Sequence, residues 1–253
     1  MLWSDTRGEE GPLVLLLHGL GATGAVWGGV VDALAQRGKV RTLVVDLPGH
    51  GRSAWSPPYS VGGMAAQIAP LVPGQGEVHV IGHSLGVYLG LALASGWYNL
   101  QIASVTGVGP KLSWSEEDFA RMRELANRPV RHFGSRAEAL DRYRRVSGLD
   151  SGGAPEESFL AGGIVSEPEG HRLAADPRTF AVGAPAFAGL VVMARCPLRL
   201  ACGERDGMVS ISELRQFDAG AVEFSAIGHN AHVEAPAVVV GLVEPMLAHA
   251  QDA

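Results

Sequence analysis

A chain of 253 residues, 47% of them hydrophobic, is long enough for one large α/β domain or two small ones and apolar enough to fill a core. Its 34 glycines and 15 prolines make up about a fifth of the residues, below the roughly 25–30% that marks low-complexity disorder. A formal net charge of −6 argues against nucleic-acid binding, which needs a basic footprint.

Strand-length apolar runs recur between helical patterns. In chain order they read as a strand at Pro12 to Leu17, a helix at Val26 to Gln36, a strand at Val40 to Val45, a helix at Val61 to Leu71, a strand at Val78 to Ile81, a helix at Leu85 to Ala94 and a strand at Ile102 to Val108. The alternation then stops. From Pro110 to about Pro185 strand signals vanish. Two charged helices, Ser115 to Asn127 and Ser135 to Val146, come first. A Gly/Pro-rich stretch, Ser151 to Pro155, and more short helices follow. Alternation resumes with a strand at Leu198 to Cys202, a helix at Ile211 to Phe217, a strand at Val222 to Ile227 and a helix at Ala237 to His249 that Pro245 is expected to kink. Uniformly apolar strands alternating with helices predict a mostly parallel sheet covered on both faces. The irregular stretch reads as an insertion over the carboxyl edge of that sheet, where ligands of open α/β sheets bind. A lid is therefore expected, the bland alternative being helices that merely thicken the fold.

Leu13 to Leu17 is too short to span a membrane, and no basic segment leads into a signal-peptide core. Cys196 and Cys202, read on one strand and about 20 Å apart, lie beyond disulfide reach. A cytoplasmic protein with reduced thiols is expected.

Gly82-His83-Ser84-Leu85-Gly86 sits between a strand and a helix, the context of a nucleophile elbow. Glycines two before and two after the serine leave room for a strained turn that lifts Ser84 Oγ out of the sheet edge. The N–H of Leu85, at the helix N-terminus, is aimed at any oxyanion formed there. A serine needs a base, and the base an orienting acid. Two later strand ends supply candidates: Glu204 and Asp206 after the first, His229 and His232 after the second.

Together these motifs resemble the α/β-hydrolase family, in its form with a helical cap. His18-Gly19-Leu20-Gly21 with Trp27, Asp46-Leu47-Pro48-Gly49-His50-Gly51-Arg52-Ser53, the serine elbow, and the late Asp and His loops carry the resemblance in order along nearly the whole chain. It implies a hydrolase core at 1–110 and 186–253 and a cap at 111–185. It selects Asp206, three beyond Gly203 and three before Val209, over Glu204. It selects His229, preceded by Gly228 and followed at the family spacing by Glu234 and Pro236, over His232. It gives the second oxyanion donor to the N–H of Leu20. Asp46 and His50 then read as turn residues, and His83 as a buttress of the elbow. His18, Met208 and His232 are expected at the substrate pocket, His18 bracing its loop as well. Arg142-Tyr143-Arg144-Arg145 reads as a solvated helix face, with an anionic substrate or carrier dock as the sharper alternative. The opening hairpin of relatives is expected in shortened form, with Gly8-Glu9-Glu10-Gly11 as its turn.

The implied activity is hydrolysis of a small carboxylic ester, lactone or thioester through an acyl-serine, with no cofactor or metal and no membrane partner. Ser84 argues against dehalogenases and epoxide hydrolases, which use an aspartate nucleophile. Carbon–carbon bond hydrolases of ring-cleavage products and cofactor-free perhydrolases share the machinery, as do acyltransferases. A ligand receptor on the same fold is the alternative without turnover.

Overall fold

The computed structural model describes residues 1–74, 76–150, 157–160 and 162–248. Ser151 to Pro155 and His249 lie outside them. All six expected strands form. The elements run β1 (Ser4–Arg7), β2 (Leu13–Leu17), α1 (Gly28–Arg37), β3 (Arg41–Val45), α2 (Val61–Ile68), β4 (Val78–His83), α3 (Leu85–Leu93), β5 (Ile102–Val108), α4 (Glu116–Ala126), α5 (Arg136–Ser147), β6 (Ile164–Glu167), β7 (Gly170–Leu173), α6 (Phe187–Met193), β8 (Leu198–Gly203), α7 (Ile211–Leu214), β9 (Val222–Phe224), α8 (Ala231–Glu234) and α9 (Pro236–Ala248). Seven strands make one sheet in the order β1-β3-β2-β4-β5-β8-β9. Only β1 is antiparallel to its neighbour.

Strand β2 shows why its sequence is apolar at every position. Leu13, Leu15 and Leu17 enter one core with α2, α3 and α6, while Val14 and Leu16 enter a second with α1 and α9. The strand alternates faces, and each face is covered, so no position is left for a polar side chain. Helix α3 is buried along its whole length, which places it under the centre of the sheet's first core.

Three features were not legible as expected. Strand β1 is polar and largely exposed. Its pairing, Ser4 to Val45 through Arg7 to Thr42, rests on main-chain hydrogen bonds that leave no hydrophobic pattern. It pairs with β3, so Gly8 to Gly11 bridges from β1 past β3 to β2 and does not close a hairpin. The insertion does contain strands: β6 and β7 form an antiparallel hairpin, Glu167 opposite Gly170. Both are four residues long and mix apolar with polar side chains, too short for a periodicity to show. Strand β9 ends at Phe224, short of the expected Ile227. There Ala226 takes a positive φ of 59°, and the Glu204 carboxylate accepts hydrogen bonds from Ser225 Oγ at 3.0 Å and Ala226 N at 2.7 Å.

The two charged helices of the insertion begin at side-chain caps. Ser115 and Asp118 form a reciprocal capping box at α4, and Ser135 caps α5 at the Glu138 N–H. Helix α5 buries Ala139, Leu140, Tyr143 and Ser147. Tyr143 therefore belongs to the core face, not to the solvated face expected for its arginine neighbours.

At the carboxyl end of β3, the fully buried Asp46 joins two loops. It accepts from Gly24 N at 2.7 Å, Arg52 N at 2.9 Å and Arg52 Nε at 3.0 Å. The Arg52 guanidinium also lies 3.1 Å from the Trp3 ring centroid. Asp46→Ala would strand the buried Gly24 N–H and take the carboxylate from the half-exposed Arg52 guanidinium; an unsatisfied buried donor costs about 1–3 kcal/mol. Urea unfolding is expected to show a loss of that order; a loss below about 1 kcal/mol would contradict this role.

Candidate active site

Ser84 joins β4 to α3 with φ 50° and ψ −111°. This conformation is strained for a residue with a side chain, by roughly 1–3 kcal/mol. The elbow glycines make it possible. A Cβ on Gly82 would stand 2.5 Å from the Gly86 carbonyl carbon, and one on Gly86 would run into the Leu17 carbonyl. The Ser84 N–H donates to Val108 O at 2.9 Å, tying the elbow to β5. Leu85 follows as the first residue of α3, whose opening N–H groups have no partner within the helix.

Asp206 lies in the turn after β8 and His229 in the loop after β9. The Asp206 side chain is fully buried and its Oδ2 is 2.9 Å from His229 Nδ1; its Oδ1 accepts from Met208 N at 2.8 Å. A carboxylate only accepts, so Nδ1 carries the proton and Nε2 is the basic atom of the ring. Gly109 makes room at the end of β5: a Cβ there would sit 3.0 Å from Asp206 Oδ2 and 3.1 Å from His229 Nδ1.

Around this pair stand histidines held neutral by burial. His83 Nε2 donates to the His229 carbonyl at 3.1 Å, and the two rings lie 4.6 Å apart. Burial, then His232 and His229, push the His83 pKa down. His18 Nε2 accepts from Leu47 N at 2.9 Å, so Nδ1 donates to Gly19 O at 2.8 Å. His50 Nε2 accepts from Gly21 N at 3.1 Å and Nδ1 donates to Pro48 O at 3.1 Å. These two rings brace the residues on either side of Leu20. The role of His50 in that brace was not legible, because the Asp46 to Ser53 turn reads locally as a turn and its partner lies 29 residues away.

Ser84, His229, Leu20, Leu85 and Met208 line one cavity of about 440 Å³ together with Trp114, Met122, Leu125, Val146 and Phe180 from the insertion. Two expected pocket residues are not in its wall. His18 is fully buried with both nitrogens spent on loops. His232 is fully buried between Trp27, at 4.6 Å, and His83, at 4.3 Å, with neither nitrogen hydrogen-bonded. Glu234, which stands near His232 in sequence, instead accepts from Gly228 N at 2.9 Å and braces the His229 loop. Among the described residues, one trio has metal-ligand spacing: His132, Glu167 and Glu169, with ligand atoms within 4.8 Å of one another. None of the three lines the cavity, and Glu167 is already matched by Arg172 at 2.6 Å and His132 at 3.1 Å. No helix among the described residues is long and apolar enough to cross a membrane.

The buried imidazoles make stability depend on pH. Burial lowers His50 and His232 from 6.5 to about 3. Between those values the unfolded chain binds protons that the folded one refuses, so stability falls as pH drops. The loss is on the order of 1.4 kcal/mol per pH unit for each ring. Urea midpoints are expected to fall steadily as the pH is lowered from 6.5, with a shallower fall in His232→Phe. A midpoint that holds constant down to about pH 4.5 would contradict this.

A family model described as "Alpha/beta hydrolase family" matches residues 14–242. A pimeloyl-[acyl-carrier protein] methyl ester esterase of Methylococcus capsulatus is 30% identical over 67% of this chain and 64% of its own length. One from Aeromonas hydrophila is 45% identical over 36% of this chain and 35% of its own length. The chain thus matches about a third to just under two thirds of the length of these curated relatives. Among solved structures, the thioesterase domain from the curacin biosynthetic pathway superposes with a TM-score of 0.76 at 25% identity, covering 95% of this chain and 93% of that one. E-2-(acetamidomethylene)succinate hydrolase superposes with a TM-score of 0.77 at 20% identity, covering 100% and 95%, and shares the fold. On its sequence and its fold, the chain belongs to the alpha/beta hydrolase family.

Proposed function

We propose that this protein is a serine hydrolase of carboxylic esters, with Ser84 as nucleophile, His229 as base and Asp206 as the acid that orients it. The observation that carries the reading is the Asp206–His229 hydrogen bond of 2.9 Å, whose histidine lines the same cavity as Ser84 on its strained elbow. Ser84 Oγ attacks the ester carbonyl as His229 Nε2 takes its proton. The oxyanion is met by the N–H groups of Leu20 and Leu85. Collapse breaks the bond to the alcohol, which leaves with the proton from His229. Water then gives a proton to His229 and attacks the acyl-serine, releasing the acid and restoring Ser84. Asp206 fixes the tautomer with Nδ1 protonated and stabilises the transient imidazolium.

Residues 111–185 act as the cap, since Trp114, Met122, Leu125, Val146 and Phe180 line the cavity that holds Ser84. The wall is mainly apolar, as suits an acyl chain. The esterase names of the sequence relatives and the thioesterase domain at 25% identity support oxygen esters first and thioesters second.

Wild-type protein is expected to hydrolyse short 4-nitrophenyl esters. Ser84→Ala and His229→Ala should each lower kcat by on the order of 10³-fold or more, whereas His232→Phe, which replaces a ring without hydrogen bonds, should stay within about tenfold. Equal turnover in wild type and Ser84→Ala would overturn the assignment, and loss in His232→Phe with retention in His229→Ala would transfer the base.

A further inference from the structure

This chain carries a net charge of −6, yet nine of its 20 lysines and arginines lie between Lys111 and Arg145, against six Asp and Glu there. Three of them, Arg128, Arg131 and Arg142, meet at one groove of about 200 Å³ whose other walls include Phe133, Leu173 and Pro177. No carboxylate lines it among the described residues. Arg128 is paired with Glu124 at 2.6 Å. The Arg131 guanidinium lies 4.6 Å from the Phe133 ring centroid. Arg142 is half-buried on α5, and the charges that act on it are those of Arg145, Arg128 and Arg131. Burial and that repulsion lower its pKa. Cations gathered on an apolar surface repel one another, and a bound anion would relieve the repulsion with charge-assisted hydrogen bonds.

The groove is not isolated. Leu125, Val146 and Phe180 line both it and the cavity that holds Ser84. These three side chains border both spaces, and an apolar chain that passed along them from Ser84 would end among the arginines. We propose that the groove is an anion subsite for the substrate itself, receiving a carboxylate or phosphate at the end of the acyl chain remote from the scissile carbonyl. The inference rests on the serine-hydrolase reading and deepens it by naming a substrate class: esters of acids that carry a terminal anion. It also gives the cap arginines a function that a merely solvated helix face would lack.

The test compares 4-nitrophenyl half-esters of linear dicarboxylic acids with 4-nitrophenyl fatty esters of matched length, in wild type and in the Arg131→Gln/Arg142→Gln double variant. At one or two chain lengths the half-ester should be preferred in kcat/KM by about tenfold, and the preference should shrink at least fivefold in the double variant and fall in high salt. No preference at any length, or one that survives the double substitution, overturns the proposal. A second arm titrates the free dicarboxylate, and separately an alkyl phosphate of the same length, into Ser84→Ala by calorimetry. Binding that weakens at least fivefold with the arginine substitutions supports the subsite, the tighter ligand telling which anion it prefers. Failure of both ligands to bind, or binding indifferent to the substitutions, counts against it. If wild type hydrolyses neither ester class while Ser84→Ala binds the diacid through the arginines, the hydrolase reading falls and the subsite stands.

Discussion

The backbone of Ser84 can hold φ 50° only because two neighbouring positions lack a side chain. Gly82 and Gly86 let the first turn of α3 come down onto β4 and the end of β2, with the Leu17 carbonyl against Gly86. The candidate site is arranged around that close approach. It sets the helix N-terminus at the sheet edge and points the serine into the cavity. It also brings the loop after β2 near enough for Leu20 and Leu85 to face one space. The strain, roughly 1–3 kcal/mol, is held by a helix buried along its full length and by the Ser84–Val108 hydrogen bond.

Histidine is used in two ways. His229 is partly exposed, pinned through Nδ1, and left with a free basic nitrogen. His18, His50, His83 and His232 are fully or nearly fully buried scaffolding. They are neutral because desolvation dominates: it outweighs the nearby carboxylates at His18 and His50 and is reinforced by neighbouring imidazoles at His83 and His232. Three of them set loops around Ser84 by hydrogen bonds: His18 and His50 hold the loop that carries Leu20, and His83 holds the loop that carries His229. A neutral ring can accept at one nitrogen and donate at the other, which lets one side chain join two backbone segments. The same burial makes the scaffold sensitive to acid.

Much of this was legible in the residues. The six strands of the parallel sheet announce themselves because burial on both faces demands unbroken apolar runs, as in Leu13 to Leu17. Gly82 and Gly86 mark the elbow because backbone packing there excludes a Cβ. Asp206 and His229 meet as their positions after β8 and β9 imply. What was not legible is polar structure held by the main chain or by distant partners. Strand β1 has no hydrophobic pattern, and β6 and β7 are too short to show one. His18 and His232 look like pocket chemistry in sequence, yet one is spent on loops and the other packs between rings. The convergence of Arg128, Arg131 and Arg142 needs the fold, because it depends on how α4, α5 and the β6–β7 hairpin pack.

The same elbow serves many reactions, so specificity must come from what faces it. Here that is the inserted segment, which brings Trp114, Met122, Leu125, Val146 and Phe180 to the cavity with Ser84, together with Lys111, Asp118, Arg121 and Arg145, and gathers three arginines at the adjoining groove. The central claim is that Ser84 is a nucleophile activated by His229. Its most direct test is covalent trapping with a fluorophosphonate, followed by peptide mass mapping. A single adduct is expected on the peptide containing Ser84, absent in folded His229→Ala. An adduct elsewhere, or none in protein that turns over esters, would contradict the claim.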